Sequence, residues 1–214
     1  MLADSIPLTR FGLLRQVETE WSRDKWVQGQ DNSLITDEEE QLAKDWGRIL
    51  KNFNFERVIT ADKGRAFETA LLVNHSLKVP LKEDSRLKER DWGSWSGKSI
   101  DQIRKEDPTL LESQEQTVSK FCPPGGEDNT SLVKRISLAL KEAHMKFIRE
   151  SILVVIHEDL IKSVISHLVE ESWSGSQTTV IYLSNQLHWL TCYKGEIILE
   201  RMNALPLPMA GMPH

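Results

Sequence analysis

Two apolar runs in this chain stop abruptly at residues that can do chemistry. Phe11–Leu14 gives way to Arg15-Gln16, and the unbroken run Ser151–Ile156 ends at His157, followed by Glu158 and Asp159. A guanidinium is a permanent cation whose forked donors match phosphate and carboxylate oxygens. An imidazole gives or takes a proton near neutral pH. The carboxamide of Gln16 is not basic and can only hydrogen-bond. The two acids invite two readings: groups that act on a ligand, or charges that favour the start of a helix.

These residues matter only if the elements around them bring them together. Ser151–Ile156, "SILVVI", is continuously apolar, as a central parallel strand must be. Phe11–Leu14 and Arg57–Thr60 are further strand candidates. Gln186–Tyr193 and Glu196–Arg201 read as two strands joined at Lys194-Gly195, and Thr178–Leu183 as another. Helices are expected over Thr36–Asn52, with Thr36 as cap and Leu42, Trp46, Ile49 and Leu50 on one face. They are also expected over Gly64–Leu77, Ser99–Lys105, the segment after Pro108, Glu127–Arg149 and Leu160–Glu171. Lys82–Gly97 reads as an ordered loop, and "CPPGGED", Cys122–Asp128, as a breaker. Strands alternating with helices favour an α/β fold with helices on both faces of the sheet. In such folds sites gather at the carboxyl ends of strands, where Arg15-Gln16 and His157 stand.

The 214 residues suffice for one sizeable core. We expect one domain over residues 1–205 and a flexible, proline-rich tail over 206–214. The formal net charge of −5 leaves no basic excess to neutralise a phosphate backbone, so no nucleic acid is expected. No apolar run approaches the length of a membrane span. The N-terminus carries no signal core, and Cys122 and Cys192 lie far apart, so a cytoplasmic protein with free thiols is expected. Two cysteines with no histidine cluster make neither a zinc site nor another metal site, and no cofactor is expected.

Five segments together resemble the histidine phosphatases, the phosphoglycerate mutase-like superfamily. "LLRQVETEW" is similar to L-L-R-H-G-E-T-x-W, and "WVQGQDNSLITDEE" to W-Q-G-x-x-D-x-P-L-T-x-x-G. "ITADKGRAFETA" is similar to S-S-D-L-x-R-A-x-E-T-A, and "RLKERDWGSWSG" to R-L-x-E-x-x-F-G-x-W-E-G. "PPGGED" with "ILVVIHEDLIKSVI" resembles P-P-G-G-E-S with V-V-S-H-G-G-x-I-R. The order and spacing cover about residues 10 to 200, far beyond a lone motif. The resemblance implies a three-layer α/β/α sandwich on a mostly parallel sheet. It also implies phosphoryl transfer: a nucleophilic histidine, two arginines and a second histidine around the phosphate, and a glutamate as proton donor. By position Arg15 and Arg65 are the arginines, Glu89 the acid and His157 the second histidine. Gln16 stands at the nucleophile.

Other positions depart as well. Val17 replaces a glycine that lets backbone approach the ligand. Ser22 stands where an asparagine of the phosphate pocket is usual. Glu158 and Asp159 replace small residues. A carboxylate about 5 Å from a phosphate charge costs roughly 3 kcal/mol at an effective dielectric near 20. Alternatively the two acids stabilise a helix start, or one occupies the phosphate position and pairs with Arg15 or Arg65. Changes at Gln16, Val17, Glu158 and Asp159 together fit natural divergence better than one engineered exchange.

Taken alone, Arg15 and Arg65 would be ion-pairing arginines, Glu89 a solvated loop acid and His157 a core histidine. Within aligned motifs all four read as pocket residues. His75, His144, His167 and His188 have no motif context and read as structural or exposed. Trp26, Trp92, Trp95 and Trp189 read as packing. Three functions follow. The first is a catalytically impaired protein that binds a small phosphorylated or anionic ligand or a protein partner. The second is a phosphatase or mutase with another nucleophile, such as His157, or with a water activated by Glu89. The third is a structural interaction module.

Overall fold

The computed structural model describes residues 7–31, 33–116, 121–172 and 182–209. Six strands form one sheet: β1 Leu8–Arg15, β2 Arg57–Thr60, β3 Leu81–Glu83, β4 Ser151–Ile156, β5 Gln186–Tyr193 and β6 Glu196–Pro206, in the order β3-β2-β4-β1-β5-β6. β1, β2, β3 and β4 run parallel, while β5 pairs antiparallel with β1 and β6. The helices are α1 Glu20–Arg23, α2 Asp37–Leu50, α3 Gly64–Leu77, α4 Ile100–Glu106, α5 Pro108–Gln116, α6 Asn129–Lys146 and α7 Glu158–Ser172.

Period-two alternation along the strands builds two cores. Phe11, Leu13, Ile59, Ile152, Val154 and Ile156 meet Leu132, Ile136 and Leu140 of α6 and Leu160, Ile161 and Val164 of α7. Leu14, Val58, Leu153 and Val155 meet Leu42, Trp46 and Leu50 of α2 and Ala70 and Val73 of α3. β4 is therefore buried on both faces, which is why its sequence is apolar without alternation. The result is the expected α/β/α sandwich. α2 and α3 approach closely at Gly47, where an added Cβ would lie 2.5 Å from the Val73 carbonyl oxygen.

A third, smaller core lies apart from the sheet. Val27, Trp95, Ile103, Leu111 and Phe121 pack together with Trp92, Ile100 and Leu110. This cluster ties α4 and α5 to the Lys25–Gly29 segment. Gly93 sits inside it at φ +53° with Pro124 and Gly126 backbone against its Cα, so no side chain fits there.

Most expected elements stand within a few residues of their expected ends. α6 begins at Asn129 rather than Glu127, because Asp128 is the N-cap and accepts from Ser131 N–H at 2.9 Å. α7 begins at Glu158, so both acids lie in its first turn. Thr36 is the N-cap of α2, but its hydroxyl makes no capping bond. Four described elements were not anticipated: α1, β3 and the 3-10 turns Ser85–Leu87 and Gly93–Trp95. The expected strand Thr178–Leu183 lies mostly outside the described residues, and Tyr182 and Leu183 are not in a strand. β6 is longer than expected and runs to Pro206. The tail is not loose where it is described: Leu207 is buried and its N–H donates to Asn185 at 2.9 Å, and Pro208 accepts from the Trp46 indole at 3.0 Å. These contacts arise because a short prolyl segment can still bury its leucine.

Candidate functional site

β1 and β4 are neighbours in register, with Arg15 opposite Ile156. The next residue of each strand is Gln16 and His157, and Gln16 N–H donates to Ile156 at 3.0 Å. The sheet therefore sets the carboxamide and the imidazole side by side at its carboxyl edge. Arg65 arrives on the first turn of α3, and Glu89 on the loop after the Ser85–Leu87 turn. Glu158 and Asp159 arrive on the first turn of α7.

The structure brings all eight sequence-predicted residues to one region. A cavity of about 290 Å³ is lined by Gln16, Ser22, Arg65, Glu89, Glu158 and Asp159, with Gln28 and Lys162. Arg15 lies beside it, lining a smaller cavity with Val17, Glu18 and Glu39. His157 is buried behind Glu89, its Nδ1 3.2 Å from Glu89 Oε2 but outside hydrogen-bonding direction.

The charges are internally paired. Arg65 donates to Glu89 at 2.9 Å and to the Asp31 carbonyl at 3.2 Å. Arg15 lies 3.1 Å from Glu158 and 3.3 Å from Glu18. Glu158 also accepts from Lys162 at 2.7 Å and from the Ser184 hydroxyl at 2.9 Å. Asp159 turns away to Arg90, whose Nε lies 2.6 Å from its Oδ2. Thus one of the two acids neutralises an arginine assigned to the phosphate pocket, and the other neutralises an arginine that sequence reasoning did not single out.

Arg90 is the main omission. It is completely buried and also donates to the Glu127 carbonyl, the Asn129 side chain and the Ser163 hydroxyl at 2.9–3.0 Å. Its N–H holds Glu89 Oε1 at 2.8 Å. Arg90 adjoins Glu89 in "KERD", but no spacing in the sequence pairs it with Asp159, 69 positions away. Arg135 was missed as well. It pairs with Glu127 at 2.7 Å and donates to the Glu89 carbonyl at 3.3 Å.

Burial pushes Glu89 up to about 7, against the pull of Arg65, with Asp159 adding to the rise. Burial also raises Asp159, opposed by Arg90. Burial, with Arg65 and Arg135 nearby, holds His157 well below the usual histidine range, so it is neutral. Burial alone would raise Glu158, but Arg15, Lys162 and the Ser184 bond outweigh it and leave it lowered and ionised. The site therefore offers a proton donor at neutral pH in Glu89, a neutral imidazole, and a carboxamide whose buried Oε1 has no partner.

Two predicted residues do less than expected. The Ser22 hydroxyl is held by the capping box of α1, accepting from Thr19 N–H at 2.7 Å and donating to the Thr19 carbonyl at 2.9 Å. Val17 has no positive φ and is buried in the core between β1 and α2, with its N–H on the Thr69 hydroxyl at 3.3 Å. The valine is accommodated without backbone strain.

Residues outside the site follow the packing readings. His144 bonds the Thr9 hydroxyl at 2.9 Å, His188 stacks on Tyr182, and His167 lies 3.2 Å from Glu171. Trp95 and Trp189 are buried. Trp26 departs from that reading: it is 40% exposed and lines the cavity together with Trp92. Cys122 and Cys192 are free thiols. Among the described residues no cluster of histidine, cysteine and acid side chains is arranged to hold a metal ion, and no helix is long and apolar enough to cross a membrane.

Residues 11–205 match the family described as "Histidine phosphatase superfamily (branch 1)". The chain belongs to this superfamily. Within it, the chain is 30% identical over 128 residues to a protein of Salmonella choleraesuis named "Probable phosphoglycerate mutase GpmB". That match spans 60% of each chain, so the likeness covers little more than half the length of such curated relatives. Among solved structures, YhfR of Bacillus stearothermophilus superposes with a TM-score of 0.79 at 25% identity, over 92% of this chain and 98% of its own. A mycobacterial glucosyl-3-phosphoglycerate phosphatase complexed with VO3 superposes with a TM-score of 0.80 at 20% identity, over 92% and 99%. The superfamily assignment and the α/β/α expectation agree.

Proposed function

We propose that this chain is a catalytically impaired histidine-phosphatase-superfamily protein that binds a small anionic ligand in the Gln16–Arg65–Glu89 cavity. One observation carries the reading: Glu158 sits on Arg15 at 3.1 Å, beside the carboxamide of Gln16. An amide nitrogen has no lone pair available to attack phosphorus, so a phosphohistidine-type intermediate cannot form at residue 16. The anion that Arg15 would bind in transfer is replaced by an internal carboxylate. Arg65 and Lys162 line the cavity and would receive the acidic part of a ligand by sharing their pairs with Glu89 and Glu158.

A second reading rests on Glu89. Near 7 this group exchanges a proton at physiological pH, and His157 lies 3.2 Å away. Together they would suit slow hydrolysis through water or through His157.

The test is phosphate release from a broad panel of phosphomonoesters, alongside thermal-shift titration with phosphate and vanadate. Wild type is expected to release phosphate only at background while an anion raises its melting temperature. Arg65→Ala should abolish that shift. Turnover that disappears in both His157→Ala and Glu89→Ala, with folding intact, would replace this reading by the second.

A further inference from the structure

Much of the cavity lining is apolar and aromatic. Its apolar walls are Trp26, Val27, Trp92, Trp95, Ile100 and Leu111. Ser22 and Gln28 line it beside Trp26 and Val27, and the charged groups Arg65, Glu89, Glu158, Asp159 and Lys162 supply the rest, as in small-molecule sites where a few polar groups orient a ligand against apolar walls. Trp92 and Trp95 stack at 13° with ring centres 6.3 Å apart, and Phe121 packs against both. The Trp95 indole N–H is already donated to Asp107 at 3.0 Å, so its ring offers the cavity only apolar surface.

Trp26 is the most informative wall. A large indole left 40% exposed is usually a mobile surface side chain, but here its backbone is clamped. Trp26 N–H donates to Trp21 at 2.9 Å, Val27 N–H to Lys98 at 2.9 Å, Gly97 N–H to Val27 at 2.8 Å and Ile100 N–H to Lys25 at 2.9 Å. The ring lies 6.0 Å from that of Trp21 and lines the cavity with part of its surface uncovered.

The charged groups of the cavity are already paired with one another. Arg15, Arg65, Arg90 and Lys162 are paired with Glu89, Glu158 and Asp159, while the half-exposed Glu18 touches Arg15 from the rim. Buried Glu39 adds a fourth carboxylate beside Arg15, so the fixed charges of this region nearly balance. An incoming anion must therefore share or displace one of these pairs. The volume, about 290 Å³, lies at the small end of small-molecule pockets, roughly 300 Å³ upward.

We infer that the ligand of this cavity is an amphipathic anion, a ring-sized apolar body bearing an acidic head. The body lies against Trp26 and Trp92, and the head points to Arg65 and Lys162. This rests on the anion-binding reading of the same cavity and narrows its chemical class. Small polar phosphates, which leave the aromatic wall in water, are the weaker ligands.

The test uses the full chain and intrinsic tryptophan fluorescence, with thermal shift as a second readout. The probes are phenyl phosphate, benzoate, glycerol 3-phosphate and inorganic phosphate. Phenyl phosphate is expected to bind about tenfold or more tighter than glycerol 3-phosphate, as one aromatic contact implies. In Trp26→Ala that ratio falls toward one, and in Trp26→Phe it is largely kept. Benzoate binding as well as phenyl phosphate would assign the head to carboxylates; binding of phenyl phosphate alone would assign it to phosphate. Equal affinity for the phenyl and glycerol esters would overturn the ring-bearing ligand while sparing the anion site. No binding of any of the four would overturn both. A preference that survives unchanged in Trp26→Ala would remove Trp26 from the wall.

Discussion

Replacing Glu158 by glutamine should convert a weak anion site into a stronger one. Glu158 is ionised and its side chain is 24% exposed, so its charge is only partly screened. An anion docked on Arg15 would lie about 5 Å from that carboxylate. At an effective dielectric near 20 the repulsion is roughly 3 kcal/mol, and salt and solvent reduce it to about 2 kcal/mol. Relief of that repulsion corresponds to about thirtyfold tighter binding. Glutamine keeps an acceptor for Ser184 and leaves Arg15 its exposed partner Glu18. The assay is calorimetric titration of vanadate into wild type and Glu158→Gln at neutral pH and fixed salt. Glu18→Gln serves as control, because it removes the same charge from a side chain 47% exposed and should change affinity little. If Glu158→Gln binds vanadate no better than wild type while melting normally, Arg15 is not the group that Glu158 withholds from anions.

Four further outcomes follow from the same geometry. Glu89 stands at about 7 in the fold, above its ordinary 4.5, so the native chain holds a proton that the unfolded chain loses between those values. Stability should fall as pH rises through that window by up to about 3 kcal/mol, and Glu89→Gln should remove this slope in urea melts at pH 4.5 and 7.5. His157 works oppositely, since its depressed pKa gives stability present above about 6.5 and lost as pH falls, so only the difference between the two proteins isolates Glu89. Arg90→Ala strands the buried Asp159 and should cost about 3–5 kcal/mol in chemical denaturation; a loss under 1 kcal/mol would mean the pair is dispensable. Gly47→Ala forces α2 off α3 and should destabilise by about 1–3 kcal/mol, read as a lower melting temperature by circular dichroism. Gln16→His alone should leave phosphate release from phenyl phosphate near background, because Glu158 still holds Arg15; robust turnover would show that the rest of the pocket is intact.

The sheet was legible because its signals are local. β4 is buried on both faces, so five of its side chains are aliphatic in a row, and α2 carries Leu42, Trp46 and Leu50 on one stripe. β3 was not, because its three residues, Leu81–Glu83, are too few for any period and are strand only by pairing with β2. The site was legible residue by residue through motif order, but its pairing was not. No sequence spacing announces that Glu158 reaches Arg15, 143 positions away, or that Asp159 reaches Arg90. Trp26 illustrates the same limit from the other side. Its residue type suggests packing, and only the folded chain shows its ring partly exposed along a cavity.

The Arg90–Asp159 contact constrains the order in which this chain can change. Asp159→Gly made first leaves a guanidinium sealed in the interior with only neutral acceptors, Glu127 carbonyl, Asn129 and Ser163. Arg90 exchanged first leaves a mostly buried, unpaired carboxylate beside Glu89. Each single step is expected to be worse than the starting point or the finished double change, so the two positions form a fitness valley. A lineage or a laboratory selection returning residue 159 to a small side chain must cross it by changing both residues together, or by first acquiring stability elsewhere.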